Sequence, residues 1–497
     1  MTPTIASALA PVRTWPRSPD RQALWLSFGA AALVAVLLTI GDSWLSNLFS
    51  PRIWQRLHLA ASPFRAIFLV LPLLLFATVA LHALRRVGRM NAILIVLMSV
   101  AMQTNGVRPL GFDLITVLPF VVIALVIGRA LLEPWRPIHL TSVTFFGMAL
   151  LVLAFPYVAD SNVYSPARFF INYISFVKGI VVAFAMILII DDRQDFRLAI
   201  RAMLGMSLVT AAIGVGQILL EKFAHVAFSL VAEEHETKPT FFGTLLRASG
   251  LTSWAQWLAD LELIALPFLM FAVVEAKGWR ARFGATAALL LVLTSVFFTF
   301  TYAAYAGVAL MLLVFPFVAW PRRSPLYLLA ALLFIAVFQL FGGWRWVDDR
   351  LLPLFLSSPG MVERKSYLLA TIEHLIRDPW LGAGVYADEE FSGNFYRKRA
   401  HNTGLQAWAY LGLGGFLVFL ATMLVTQSQV WLMALARHGG VRRLFLALGV
   451  LQLAVILTMF AQPNFTVPAT WYLLGLTSAA LRVFSQPSAQ DREWSPW

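Results

Sequence analysis

Long apolar runs alternate with short polar connections, many of them arginine-bearing, along almost the whole chain. A helix needs about 20 apolar residues to cross a hydrocarbon core ~30 Å thick, so each run predicts a membrane-spanning helix. About fourteen spans (12–14) are expected, at 24–48, 65–84, 91–107, 112–132, 138–158, 169–190, 198–220, 251–275, 284–301, 303–320, 325–342, 405–429, 442–461 and 465–484. The third is short and is interrupted by Met102-Gln103-Thr104-Asn105-Gly106, which points to a broken or re-entrant segment. The ninth and tenth divide at the stretch from Thr301 to Gly307. The ~10-residue alternation of barrel strands is missing. The fold class expected is therefore an all-α polytopic membrane protein.

Two longer polar stretches interrupt the runs, at about 221–250 and 343–404. In the second, Leu368, Leu369, Ile372, Leu375 and Ile376 recur at three- and four-residue spacing, one face of an amphipathic helix. Pro379, Gly382 and Gly384 end it. Such a helix is expected to lie on the bilayer surface as a lid over a cavity. The chain shows no internal repeat and no low-complexity tract. The expected division is a cytoplasmic tail at 1–23, N-terminal helices at 24–240, a second membrane region at 241–484 carrying the loop 343–404, and a tail at 485–497.

Composition closes off other classes. With 60% hydrophobic and 13% charged residues, a soluble domain of 497 residues has nowhere to hide its apolar side chains. There are no cysteines, which excludes disulfides, thiolate nucleophiles, Fe–S clusters and cysteine-ligated zinc. The first residues carry Arg13, Arg17 and Arg21 without an apolar h-region, so the run from Ala23 is read as an uncleaved signal anchor.

The net charge of +13 raises the question of nucleic acid, and sorting the charges by membrane side answers it. With both termini in the cytoplasm, the short inner connections and the tails hold 21 of the 38 lysines and arginines, as the positive-inside rule requires. Lys178 falls inside a span, and the remaining 16 lie outside, concentrated in the two long loops. Long loops cross regardless of charge, and basic residues touch lipid headgroups. The sharper reading is that these loops hold an anionic ligand. No nucleic-acid partner is expected.

Several short motifs fall in order along the second half. Arg247-Ala248-Ser249-Gly250 precedes a span, and Arg364 precedes the amphipathic helix. Pro379-Trp380-Leu381-Gly382-Ala383-Gly384 follows it, and His401-Asn402 opens a span containing Leu411-Gly412-Leu413-Gly414-Gly415. In order, spacing and membrane side, residues from about 240 to 430 resemble the bacterial O-antigen ligase and O-antigen polymerase superfamily. The resemblance implies a GT-C-like, metal-independent, inverting glycosyltransferase of the inner (cytoplasmic) membrane, with its active site and a large helical loop facing the periplasm. It implies transfer of a glycan from a polyprenyl (undecaprenyl) diphosphate carrier to an acceptor hydroxyl, with no cofactor and no metal. Many members carry an arginine in a Ser-Arg-Gly-like element where this chain has Tyr305. Lys178 and Arg364 are candidates to take its place.

The chemistry needs cations to stabilise the departing diphosphate and a base for the acceptor hydroxyl. Arg247 and Arg364 are the leading diphosphate ligands, because a guanidinium fork binds phosphate oxygens in pairs. A lone arginine at a helix end more commonly snorkels to headgroups; the family motifs favour function for both. His401 is the candidate base, since a neutral imidazole accepts a proton near neutral pH. Arg397, Lys398 and Arg399 would favour that neutral form if they fold close to it; donor phosphate, an anionic sugar and anionic lipid are equally open as their ligands. Lys365, Arg397, Arg399, Asn402 and Lys178 are the substrate-binding candidates, although Asn402 is also a natural helix cap. Lys178, deep in a span, needs a partner, for which Asp260 and Glu262 are available.

The acidic runs Glu233–Glu236 and Asp388–Glu390 read as solvated loop, and no ligand spacing points to a metal. Trp344, Trp346, Trp380 and Trp408 read mostly as interfacial anchors.

Three activities remain distinct. The first is a polymerase of O-antigen or exopolysaccharide repeat units, acting on another carrier-linked glycan. The second is a ligase acting on lipid A-core, and the third a flippase for lipid-linked oligosaccharide. Expected partners are the lipid-linked donor, a glycan or lipid-linked acceptor, membrane lipids, a chain-length regulator and a flippase.

Overall fold

The computed structural model describes residues 90–104, 115, 118–125, 141–154, 166–224, 237–240, 243–252, 254–341, 345, 359–377, 379–382, 384, 402–462, 464–486, 491 and 494. Twelve α-helices run through them: α1 Met90–Gln103, α2 Ser142–Ala154, α3 Pro166–Ile189, α4 Arg193–Ala224, α5 Ala255–Glu275, α6 Trp279–Phe298, α7 Tyr302–Ala319, α8 Ser324–Leu340, α9 Pro359–Arg377, α10 Thr403–Ala436, α11 Gly439–Met459 and α12 Pro468–Val483. Seven segments, α4 to α8, α10 and α11, are long and apolar enough to cross a membrane by length and composition. The protein is a helical, polytopic membrane protein. Eleven of these helices fall in expected spans, the span at 112–132 meets only a short helical stretch at 118–125, and the two at 24–48 and 65–84 lie outside the described residues.

One element departs from the all-α expectation. Inside the loop at 221–250, β1 Thr237–Thr240 and β2 Gly243–Leu246 form an antiparallel hairpin, with Thr237 opposite Leu246 and Thr240 opposite Gly243. A long polar stretch hides so short a pair from any periodicity argument.

The helices differ in how they meet their solvent. α5 is mostly apolar and sits inside the bundle with Asp260 and Glu262 buried in it, whereas the described residues in the apolar window of α8 stay unburied and its leucines are exposed. α3 and α12 approach until Gly179 leaves no room for a Cβ beside Trp471, and Gly475 none beside the carbonyl of Ala183. Small residues allow such contact where apolar lipid supplies no force to drive helices together. Around that seam lie Phe176, Tyr410, Phe419, Phe465 and Trp471, a cluster of buried rings.

Charged groups mark the two ends of the bundle. At one end Arg443 pairs with Glu275 at 2.7 Å, tying the start of α11 to the finish of α5. At that same end Asp491 bridges Arg193 at 2.7 Å and Arg437 at 3.5 Å. Trp494 is buried nearby, against Phe196 and Phe484 and within cation–π reach of Arg197. The described residues of the C-terminal stretch therefore pack back onto the bundle. The described connections among those expected on the cytoplasmic side collect here. Arg247, the α6–α7 turn and the start of α10 lie at the opposite end.

Candidate functional site

Arg247 leaves β2 just before α5. Its backbone neighbours are laid tightly against α4: Gln217 Oε1 accepts from the amides of Ser249 at 3.1 Å and Gly250 at 2.9 Å. Gly250 has φ +60°, and a Cβ there would lie 2.6 Å from Thr210 Cγ2 and 2.8 Å from its carbonyl oxygen. Glycine is thus required both for the left-handed backbone and for the close approach. Ala248 is buried and donates its amide to Phe298 O at 2.9 Å. The Arg-Ala-Ser-Gly motif is a strap from α4 to the end of α6 that leaves its arginine over the α6–α7 turn.

The guanidinium is held there. Nε donates to Thr299 O at 2.8 Å and Nη2 to Thr301 Oγ1 at 3.1 Å. Between these threonines Phe300 adopts φ +50°, a conformation a bulky side chain rarely takes and one that costs about 1–3 kcal/mol. The strained turn aims the carbonyl of Thr299 at Arg247. Tyr305 donates its hydroxyl to Phe297 O across the same turn, and the Arg247 charge reaches its ring. Arg247 therefore sits beside the position where the resemblance calls for an arginine and this chain has tyrosine. Thr299, Thr301 and Gln217 were missed by sequence reasoning; the only trace of the first two is a polar pair at the break between two apolar runs.

The start of α10 lies at the same end. Asn402 is its N-cap, accepting from Leu405 N at 3.0 Å, and its Nδ2 donates to Phe460 O at 3.3 Å. Thr403 Oγ1 donates to Gln462 O at 2.6 Å and accepts from Asn464 N at 2.9 Å. The helix start is thereby fastened to the connection after α11. α7 meets the end of α11: a Cβ on Gly307 would lie 3.2 Å from Thr458 Cγ2. Arg247, α7, the end of α11 and Asn402 form one continuous packed path.

α9 carries Arg364 in its first half and an exposed Lys365. Its apolar stripe divides: Leu375 is buried, as is Thr371 one turn before it, while Leu369 and Ile376 stay exposed. The helix ends at Arg377, as the proline and glycines after it require. The turn beyond it docks on α10, where Trp408 Nε1 donates to Pro379 O at 2.7 Å and its ring stacks on Phe416. Trp408 thus ties the turn to α10.

Lys178 is buried on α3, as its place in a span predicts. The pairing with Glu262 is not made: both carboxylate oxygens of this fully buried residue lack a hydrogen-bond partner among the described residues. His401, Arg397 and Arg399, the side chain of Arg364, the acidic runs 233–236 and 388–390, and Trp344 and Trp346 lie outside the described residues. Among the described residues, no group of three or more metal-ligating side chains comes together.

Residues 287–420 match the O-antigen ligase family model. The matched region begins inside α6 and ends inside α10, so it contains the α6–α7 turn, α9, the Pro379–Gly384 turn and the His401-Asn402 start. It supports the O-antigen ligase and polymerase superfamily assigned from the motifs, and ligase- or polymerase-type glycosyltransfer in general terms. Arg247 lies outside the matched residues and reaches them through its hydrogen bonds. No curated protein matches the chain.

Proposed function

We propose that this protein is an inner-membrane glycan polymerase, extending a carrier-linked glycan with one delivered on polyprenyl diphosphate at the periplasmic face. The observation that carries the reading is the Arg247 guanidinium, fixed over a strained turn of the family-matched region at the same end of the bundle as the Asn402-capped helix start. A guanidinium with its plane held in advance stabilises a departing diphosphate without reorganising during reaction.

In this reading His401 takes the proton of the acceptor hydroxyl. The resulting oxygen attacks the anomeric carbon on the face opposite the diphosphate, and the bond from that carbon to the diphosphate oxygen breaks. The diphosphate leaves on its carrier, its charge met by Arg247 and Arg364, and the anomeric centre inverts. Lys365, Arg397 and Arg399 hold donor phosphate or anionic sugar, and Arg247 supplies the guanidinium missing at Tyr305. Asn402 acts on the site by capping the helix behind His401. The reaction requires no cofactor or metal and should persist in excess chelator.

Reconstitution with polyprenyl-diphosphate glycan tests this. A ladder of lengthened carrier-linked chains is expected, lost in His401→Ala with membrane insertion intact. Single transfer to lipid A-core would make the protein a ligase. Donor accumulating on the cytoplasmic face of a deletion strain would make it a flippase, and full activity in His401→Ala would remove the proposed base.

A further inference from the structure

Helix α10 is broken near its start, and the turn after α9 fills the break. Gly412 has φ +69° and ψ −174°, far from helical values, so the backbone opens between Thr403–Leu411 and the long remainder of the helix. An opened helix leaves amides and carbonyls without their partners, and in a membrane protein such backbone survives only where protein covers it. The covering segment is Pro379–Gly384. Leu413 N donates to Pro379 O at 3.2 Å, and Gly384 N donates to Tyr410 O at 3.1 Å. Pro379 O accepts Trp408 Nε1 as well, so one carbonyl binds both sides of the break.

The contact is backbone on backbone. A Cβ on Gly382 would lie 2.4 Å from Tyr410 O and 2.5 Å from the amides of Leu411 and Gly412. A Cβ on Gly412 would lie 2.2 Å from Trp380 O. Neither set of atoms moves aside as a flexible side chain does. Two glycines on segments about thirty residues apart in sequence are therefore both needed for one interlock.

The interlock also separates α10 mechanically. The piece from Thr403 to Leu411 is held by the turn at one end and by Phe460, Gln462 and Asn464 at the other. It can thus take a direction of its own. We propose that Gly382 and Gly412 are positioning residues: their interlock sets the direction of this short segment and of its Asn402 cap, which the proposed base His401 immediately precedes in sequence. The function of the device rests on the glycosyltransfer reading above; the interlock itself does not.

The cysteine-free chain permits paired spin labels at Leu381→Cys and Leu417→Cys on the full-length protein in nanodiscs. One narrow distance is expected in the otherwise unaltered chain and a broadened one in Gly412→Ala or Gly382→Ala. In the unlabelled variants kcat should fall on the order of 10²-fold, the scale of an ångström-level misplacement, while donor KM changes little. Trp408→Phe, which removes one hydrogen bond and keeps the ring, should show a smaller loss of the same kind and decides the matter if the glycine variants do not fold. Gly440→Ala provides the control, because its Cβ would lie 1.6 Å from Trp494 O at the far end of the bundle. It should lower Tm while the folded protein keeps its kcat. An unbroadened distance, a loss expressed only in KM, or an equal kcat loss in Gly440→Ala would each overturn the proposal. If the parent protein transfers no glycan, the glycosyltransfer reading fails with it, and the distance measurement alone judges the interlock.

Discussion

At Arg247, charge and geometry make separate demands. Its two hydrogen bonds to the α6–α7 turn need a planar fork, which an ammonium does not provide. Arg247→Lys should therefore lose most transfer activity despite keeping the charge, and Arg247→Ala should lose it together with about 2 kcal/mol of stability, the scale of hydrogen bonds to a charged group. Glycan transfer and thermal melts on the same preparations check both, and a fully active Arg247→Lys would remove the fork argument. Glu262 invites the opposite experiment. Its carboxylate is buried without a hydrogen-bond partner among the described residues, so Glu262→Gln removes a group that is costly to ionise there and should leave Tm equal or higher. Arg247 as a candidate was legible from its motif. What holds it was not, because Thr299 and Thr301 lie some fifty residues away.

Helices and turns here are governed by where backbone groups find partners. Gly250→Ala should destabilise the strap by about 1–3 kcal/mol, since the residue is left-handed and Thr210 blocks the Cβ. Asn402→Ala should cost roughly 1 kcal/mol through the lost cap, and Asn402→Asp should restore most of it. Both are read from unfolding midpoints in detergent; an unshifted midpoint in Gly250→Ala would contradict the close approach. The amphipathic helix was legible from its 3–4 spacing, including its end at Arg377. Its division into a buried edge at Leu375 and an open edge at Leu369 and Ile376 was not, because periodicity names a face without naming what covers it.

For the whole molecule, the arginine-rich connections and the motif-bearing turns gather at opposite ends of the bundle. In intact cells with a permeable outer membrane, a membrane-impermeant maleimide should label Lys365→Cys and spare Arg280→Cys until the inner membrane is opened. Both sites are exposed and the chain has no other thiol. Reversed labelling would put the proposed site on the wrong side. At the arginine-rich end, Asp491 offsets Arg193 and Arg437. Ending the chain at residue 486 should cost about 3–5 kcal/mol, because it leaves a buried arginine without its counter-charge.

The polytopic helical class and the positions of the described apolar helices followed from the sequence because the bilayer imposes a local rule: about 20 apolar residues in succession, with polar and helix-breaking residues between. The chemistry of arginine and histidine was likewise legible one residue at a time. Only the tertiary structure decided which distant pieces meet: Arg247 with the turn at Thr299–Thr301, and the Pro379–Gly384 turn with the break at Gly412. Those partnerships depend on backbone groups released where a helix stops, and on side chains small enough to let another segment reach them. A linear pattern shows the release, but the partner is settled only when the helices have packed.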